Sequence, residues 1–242
     1  MVGYDSFAPL YDEVLGNRYH AALLPQLLKR LRRLRAPMPA RMLDLGCGTG
    51  KLAAFFRERG CAVVGLDLSL GMLLEGAARF SCPRVNGDMA RFAFRRPFDI
   101  VLCMYDSLNH LISDTDVRAM LAGVFHALEP GGIFLFDSNN LWAFRHVFGS
   151  REIFRHEEET GTAEMKTGFD RESGLAWAHV KGRGPRGSFE DSLMERYYPR
   201  EDLERWLREA GFTQIKVEGW SPGRAYGGRN VKDFWTAGKK SV

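Results

Sequence analysis

The stretch Arg41-Met-Leu-Asp-Leu-Gly-Cys-Gly-Thr-Gly50 decides the fold. Its apolar start predicts a short buried strand, and residues 51–59 carry the apolar spacing of a helix. The glycines between them allow positive φ values and let a ligand approach the backbone closely. Free N–H groups at the start of the helix would face the same ligand. The stretch therefore predicts a strand, a turn and a helix that together form a binding site.

Acidic residues mark the ends of three successive predicted strands. Asp44 precedes the glycine turn, Asp67 ends the strand at 61–68, and Asp88 follows a third strand. A carboxylate beside the turn argues against a phosphate there and favours a cationic or zwitterionic ligand. Asp67 suits a ribose diol. Asp88 and Met89 suit the amino group and ring face of an adenine.

These motifs, together with residues 98–106 and 128–137, resemble the successive motifs of the class I S-adenosylmethionine-dependent methyltransferases. The resemblance covers about residues 4–140 and implies S-adenosyl-L-methionine as methyl donor and S-adenosyl-L-homocysteine as product. It places the donor's reactive carbon near the end of the fourth strand. The cofactor-binding residues that we expect are Tyr11, Asp44, Gly46, Gly48, Asp67, Leu68, Asp88, Met89 and Met104.

The segment at residues 4–12 is similar to the opening of bacterial small-molecule methyltransferases, where it folds over the cofactor. The similarity makes Tyr11 a candidate for a cofactor lid, with Tyr4 and Arg18 as further candidates. Alternatively, the segment is an amphipathic cap helix whose aromatic residues only fill the core.

Alternating strand and helix patterns predict an α/β fold with a doubly wound, mostly parallel sheet. The resemblance implies seven strands, the last of them antiparallel. Between residues 141 and 198 the apolar period approaches two, which predicts an inserted antiparallel β lid with strands near 162–169, 175–181 and 188–198. The expected domains are a helical cap at 1–36, a core at 37–140 and 199–242, and the lid at 141–198. The glycine-rich connection at 219–230 is expected to be functional or mobile.

Residues 103–111 are the candidate acceptor-side stretch. They resemble the Asn-Ser-x-x-His-Leu pattern of the glycine N-methyltransferases, and His110 aligns with the histidine of that pattern. Tyr105 replaces a glycine of those enzymes and Asn139 stands in place of their substrate arginine, so glycine is not implied as acceptor. Tyr105 and His110 are candidate catalytic residues. Alternatively, Tyr105 packs under the lid and His110 is a hydrogen-bonded structural residue.

Composition narrows the class of protein. The net charge of +4 is too small to demand a nucleic-acid partner, and no apolar run approaches the length of a membrane span. The four cysteines form no metal-binding pattern, so we expect no metal site and a cytoplasmic location. The basic stretch at 29–35 predicts a solvated helix face, with an RNA or polyanion footprint as the alternative. A monomer and a homodimer both remain open.

The predicted function is methyl transfer to an amine or hydroxyl of a small molecule by direct in-line displacement. A methyl group on sulfonium is already activated, so orientation and water exclusion are the main requirements. Two alternatives stay open at this point. One is an RNA or protein methyltransferase that uses the basic helix, and the other is a non-catalytic protein that binds S-adenosylmethionine.

Overall fold

The computed structural model describes residues 3–150, 153–221 and 228–241, which form eleven strands and seven α-helices. The strands are β1 (Arg41–Leu45), β2 (Ala62–Asp67), β3 (Arg84–Asn86), β4 (Phe98–Cys103), β5 (Leu128–Asn139), β6 (Ile153–Glu158), β7 (Gly161–Phe169), β8 (Leu175–Gly184), β9 (Gly187–Arg196), β10 (Thr213–Trp220) and β11 (Lys232–Gly238). The helices are α1 (Ala8–Tyr11), α2 (Asn17–Arg33), α3 (Lys51–Arg57), α4 (Leu70–Ala77), α5 (Asp114–Ala127), α6 (Leu141–His146) and α7 (Arg200–Glu209). A π-helical turn (Asp12–Gly16) and 3-10 turns (Ser107–His110 and Phe148–Ser150) complete the described elements.

Seven strands form the main sheet in the order β10-β11-β5-β4-β1-β2-β3. The pairs among β1 to β5 are parallel, and β11 runs antiparallel to both of its neighbours. This arrangement confirms the predicted seven-stranded, mostly parallel sheet. The carboxyl ends of β1, β2 and β4 therefore meet at one edge, where ligands bind in open α/β sheets.

Alternate residues of the central strands enter two separate apolar cores. Leu43 and Val101 pack on the side of α5 and α7, whereas Met42 and Ile100 pack on the side of α2 and α3. Successive side chains of a strand point to opposite faces, so a near-continuous apolar run is what a sheet covered on both faces requires.

A second, four-stranded antiparallel sheet contains β6 to β9 in chain order and is inserted between the main-sheet strands β5 and β10. It agrees with the predicted antiparallel lid, but it has one strand more than the sequence indicated. Within the described part of the chain, the missed strand β6 pairs only with β7, and it ends in Glu157 and Glu158. An edge strand that ends in charged residues lacks the alternation by which strands are recognised.

The amino-terminal segment lies between the two sheets. Phe7, Leu10 and Val14 form a third apolar cluster with Ala163 and Val180 of the second sheet. The backbone N–H groups of Ser6 and Phe7 donate to the Asp191 carboxylate on β9, at 3.1 and 2.8 Å. The segment is thus held to the second sheet by apolar packing and by charge-assisted hydrogen bonds.

Part of the basic stretch at 29–35 faces the protein. The guanidinium of Arg30 lies 4.0 Å from the centroid of the Phe234 ring and 3.2 Å from the Glu218 carboxylate. Its neighbours Leu27 and Leu31 are buried in the core below α2. The helix thus uses a basic residue for packing, and in the described part of the chain no helix is long and apolar enough to cross a membrane.

The connection predicted at 219–230 is shorter than expected, because β10 continues to Trp220. Residues 222–227 of that connection lie outside the described part of the chain.

Candidate functional site

A first cavity of about 320 Å³ lies at the carboxyl ends of β1, β2 and β4. The glycine turn forms its floor, and the amino-terminal segment and β9 close it from above. Gly46 and Gly48 have φ values of +66° and +55°. A Cβ atom on Gly46 would come within 2.5 Å of the Ser107 hydroxyl oxygen. Glycine at this position therefore meets both a backbone and a packing requirement.

The acid that ends β2 is fixed by the backbone around it. Asp67 accepts hydrogen bonds from the N–H groups of Gly48 at 2.7 Å and Ser69 at 2.8 Å. Burial raises the pKa of its carboxyl, and the two backbone donors oppose that rise. Asp67 and the exposed Leu68 both line the cavity. The carboxylate is thus held rigidly at the position that the sequence predicted for a ligand acceptor.

The third predicted acid also lines the first cavity, next to Met89. Asp88 accepts a hydrogen bond from the N–H of Ala90 at 2.8 Å and another from Arg91 at 2.8 Å. Met89 packs its partly buried side chain against the main core. The ends of β2 and β3 therefore supply adjacent parts of one wall.

Two predicted residues lie behind the wall and do not line either large cavity. Asp44 is buried below the glycine turn, and its Oδ2 atom has no hydrogen-bond partner among the described residues. Burial, reinforced by the charge of Asp67, raises the pKa of Asp44 to about 7. Met104 is buried in the core beside α2 and α3. Met104 directly follows β4 and does not line the first cavity, so its contact with a ligand stays a prediction.

His110 has hydrogen bonds at both ring nitrogens. Its Nδ1 lies 3.0 Å from the Met194 carbonyl oxygen, which can only accept, so Nδ1 carries the proton. Its Nε2, 3.0 Å from the Tyr4 hydroxyl, then accepts from it. Burial lowers the pKa of His110 and keeps it neutral. The histidine lines the first cavity, and both of its ring nitrogens have hydrogen-bond partners, so its role as an acceptor-side base stays a prediction.

Tyr105 stands where the two cavities meet. Its hydroxyl lies 3.0 Å from Nδ1 of His20, and its φ of +63° is in the left-handed region. The next residue, Asp106, also has a positive φ, of +55°. Such a conformation explains why a glycine can occupy this position in the family that the sequence resembles, and strained backbone of this kind concentrates at functional sites.

The amino-terminal segment forms a common roof. Tyr4 and Tyr11 meet edge to face, with ring centroids 5.7 Å apart, and both line the first and the second cavity. Asp5 ties the segment to the start of α4 by accepting from the Ser69 hydroxyl at 2.6 Å and the Gly71 N–H at 2.9 Å. Arg18 is exposed on α2 and lines neither cavity, so the structure does not place it with Tyr11.

The second cavity, of about 700 Å³, adjoins the first and lies between the main sheet, α6 and the second sheet. Aromatic and aliphatic side chains make up most of its wall. The residues that line both cavities are Tyr4, Tyr11, Tyr105 and Leu193. A molecule in the second cavity would therefore meet a molecule in the first across this shared group.

A buried charged cluster lies in the wall of the second cavity. Lys232 pairs with Asp106 at 2.9 Å and with Asp137 at 3.1 Å. Burial alone would lower the pKa of Lys232, but the two carboxylates outweigh burial and hold it above its usual value. Asn139 Nδ2 donates to Asp106 at 2.6 Å and to Glu195 at 2.8 Å. Burial and the charge of Asp106 raise the pKa of Glu195 to about 8.

Sequence reasoning did not identify Glu195, Lys232 or Tyr19, although all three line the second cavity. A signal for Glu195 was present. Asp191, Leu193 and Glu195 share one face of β9 and are all buried. Acidic residues therefore stand at positions of an alternating strand where buried, apolar residues are expected. Lys232 and Asp233 come together at the start of β11, and Lys232 gave no comparable signal.

Comparison with known proteins agrees with this architecture. A family model described as a methyltransferase domain matches residues 42–132. YqeM of Bacillus subtilis, whose name assigns it provisionally to the methyltransferases, is 30% identical over 88% of this chain and 88% of its own. The dTDP-3-amino-3,6-dideoxy-alpha-D-glucopyranose N,N-dimethyltransferase of Streptomyces fradiae is 31% identical over 90% of this chain and 88% of its own. The crystal structure of an S-adenosylmethionine-dependent methyltransferase from Clostridium acetobutylicum has a TM-score of 0.75 at 21% identity and covers 99% of both chains.

Proposed function

The chain belongs to the S-adenosylmethionine-dependent methyltransferases, and on that premise we propose that it methylates the nitrogen of a small-molecule amine held in the second cavity. The main observation in support of this proposal is that the second cavity adjoins the first and has two carboxyl-bearing residues, Asp106 and Glu195, in its wall. Carboxylates attract an ammonium group, whereas a hydroxyl acceptor has no positive charge for them to bind. The Streptomyces fradiae relative is named for N-methylation of an amino sugar, which supports the same class of acceptor.

The first cavity fits the methyl donor. Asp44 lies behind the glycine turn, its pKa is about 7, and one of its buried oxygens has no hydrogen-bond partner among the described residues. An ammonium group of the donor's methionine portion, on the cavity side of the turn, would supply the missing positive charge. We expect the turn at Gly46 and Gly48 to hold the same portion. Asp67 would accept from the ribose hydroxyls, and the wall at 87–89 would hold the adenine.

The bound donor supplies a methyl group on positively charged sulfur, which leaves as a neutral thioether. The chain has to align the acceptor nitrogen and exclude water. Tyr4, Tyr11 and Tyr105 line both cavities, so they are placed to shape the passage between donor and acceptor. Orientation of this kind contributes roughly 7–11 kcal/mol in favourable cases.

The test is a methylation assay with matched acceptors. Purified protein and methyl-labelled donor are incubated with small primary amines and with the alcohols of the same carbon skeleton. We expect S-adenosylhomocysteine and a labelled, N-methylated product from amines only. Asp67→Ala is the negative control, because its donor site is damaged. Labelling of alcohols alone, or of RNA or protein in place of small molecules, would overturn the proposal.

A further inference from the structure

We propose that Glu195 is the residue that binds the acceptor as an ammonium ion and then takes its proton. This inference rests on the proposed N-methylation and names a catalytic base for it. Glu195 is buried on β9, lines the second cavity, and is bonded through Oε2 to the amide of Asn139.

The charges of the buried cluster in the wall of the second cavity do not balance when every group is ionised. Asp106, Asp137 and Glu195 bring three negative charges, and Lys232 brings one positive charge. Leaving a buried charge without a partner is costly, so the cluster favours one further proton or cation. In the free protein a proton on Glu195 fills this need, and in the complex an ammonium ion does so.

The pairing within the cluster singles out Glu195. Lys232 lies 2.9 Å from Asp106 and 3.1 Å from Asp137, and its charge opposes the burial that raises the pKa of the Asp137 carboxyl. Asp137 does not line the cavity, and both oxygens of Asp106 are engaged, one by Lys232 and one by Asn139. Among the described residues, the hydrogen-bond partner of the Glu195 carboxyl is the neutral Asn139 amide. Its carboxyl therefore changes protonation most readily, in accord with its raised pKa.

Three tyrosine hydroxyls that face this region stay neutral over the same range. Burial raises the pKa of the Tyr4, Tyr11 and Tyr105 hydroxyls, so they stay neutral. Arg155 at the far wall is 3.4 Å from Glu164. The groups that face Glu195 across the cavity or the cluster are Asp106, Asp137, Lys232, Tyr4, Tyr11, Tyr19, Tyr105 and Arg155.

The step balances without a further reactant. The ionised Glu195 carboxylate binds R–NH₃⁺ and takes one proton, which leaves R–NH₂ with a free electron pair. That pair forms the N–CH₃ bond, the S–CH₃ bond breaks, and its electron pair stays on sulfur. The products are R–NH₂CH₃⁺ and S-adenosylhomocysteine, and the proton on Glu195 returns to solvent.

The first test needs no turnover. The Glu195 carboxyl carbon is followed by ¹³C NMR against pH in the whole protein, and its resonance is assigned by its loss in Glu195→Gln. We expect a midpoint of about 8. Saturating tetramethylammonium, a cation without a removable proton, should lower the midpoint by about one unit, because a nearby cation favours the ionised form. The neutral tert-butanol should leave it unchanged.

The second test is the pH profile of kcat/KM for two amine acceptors whose own pKa values differ by about two units and both exceed that of Glu195. In the wild type, kcat/KM should rise with pH and level off near pH 8 with either amine. At higher pH it should fall again, at a pH set by the pKa of the amine. For Glu195→Gln, kcat/KM should instead rise with pH up to the pKa of the amine and then stay constant, because only the neutral amine can react without the carboxylate. Glu195→Asp should restore the fall, and Glu190→Gln, an exposed position on the same strand, should match the wild type.

The outcomes separate this inference from the proposed function. Amine methylation with the same profile in wild type and Glu195→Gln would overturn the role of Glu195 and leave N-methylation standing. A midpoint lowered by tetramethylammonium without methylation of any amine would support the cation site and contradict the proposed function. A midpoint indifferent to tetramethylammonium would overturn the cation site itself.

Discussion

The two cavities are built in different ways. The floor and one wall of the first come from short local motifs, namely the glycine turn and the acids at the ends of β2 and β3, all within residues 46–89. The second depends on Asp106, Asn139, Glu195 and Lys232, which come from four separate parts of the chain. Donor binding is therefore set by local backbone requirements, and acceptor binding by the way distant charges pair in the folded protein. The predictions below test that contrast.

The largest effect is expected at the end of β2. Asp67→Ala should weaken S-adenosylmethionine binding by about 10²- to 10⁴-fold, because each charge-assisted hydrogen bond contributes about 1.5–3 kcal/mol. Titration calorimetry with donor and product measures the loss. Circular dichroism should show an unchanged fold, and Asp116→Ala, at a nearby ion pair with Arg91, should bind normally. Near-wild-type affinity in Asp67→Ala would contradict the proposed donor site.

On the acceptor side, we expect a substitution in the buried charged cluster to lower the stability of the fold. Lys232→Met leaves Asp106 and Asp137 without their cation, and breaking a buried pair costs about 3–5 kcal/mol. Urea unfolding measures the loss, with Lys216→Met at an exposed position of β10 as the matched control. The loss should be smaller at low pH, where the carboxyls are protonated. A stable Lys232→Met protein at pH 8 would show that the cluster does not depend on this pairing.

The same contrast explains what the sequence could predict. The strand pattern and the motifs at 41–50, 67 and 88 located the main sheet and the floor and one wall of the first cavity, because each follows from a local requirement of the backbone. Met104 follows the end of β4 and its side chain enters the core, which residue spacing alone does not reveal. Glu195 and Lys232 escaped because they come together only when β9 and β11 pack beside β5.

Asp44 offers a way to separate stability from donor binding. Its pKa is raised to about 7 by burial, then by Asp67, so the folded state holds its proton more tightly than the unfolded chain. Stability is therefore fully present below about pH 4 and is lost as the pH rises towards 7. Asp44→Asn should stabilise the free protein by roughly 1–3 kcal/mol at pH 8 and not at pH 4.

The measurement for Asp44→Asn is thermal unfolding at both pH values, paired with calorimetry of donor binding. The variant should bind S-adenosylmethionine more weakly, because the neutral amide no longer attracts an ammonium group. A loss of stability at pH 8 would mean that the unpaired carboxylate is satisfied in the free protein after all. An unchanged affinity would place the donor's ammonium group elsewhere.

The smallest effect concerns the roof, where the two cavities cease to be independent. Asp5→Ala removes the two hydrogen bonds that tie the amino-terminal segment to α4, each worth about 0.5–1.5 kcal/mol. Because Tyr4 and Tyr11 line both cavities, donor and acceptor should both dissociate faster, by roughly 3- to 30-fold, in stopped-flow experiments. Asp202→Ala on the distant α7 serves as the control. Faster release of the donor alone would mean that the amino-terminal segment does not control both cavities together. The two cavities would then differ in their dynamics as well as in the way they are built.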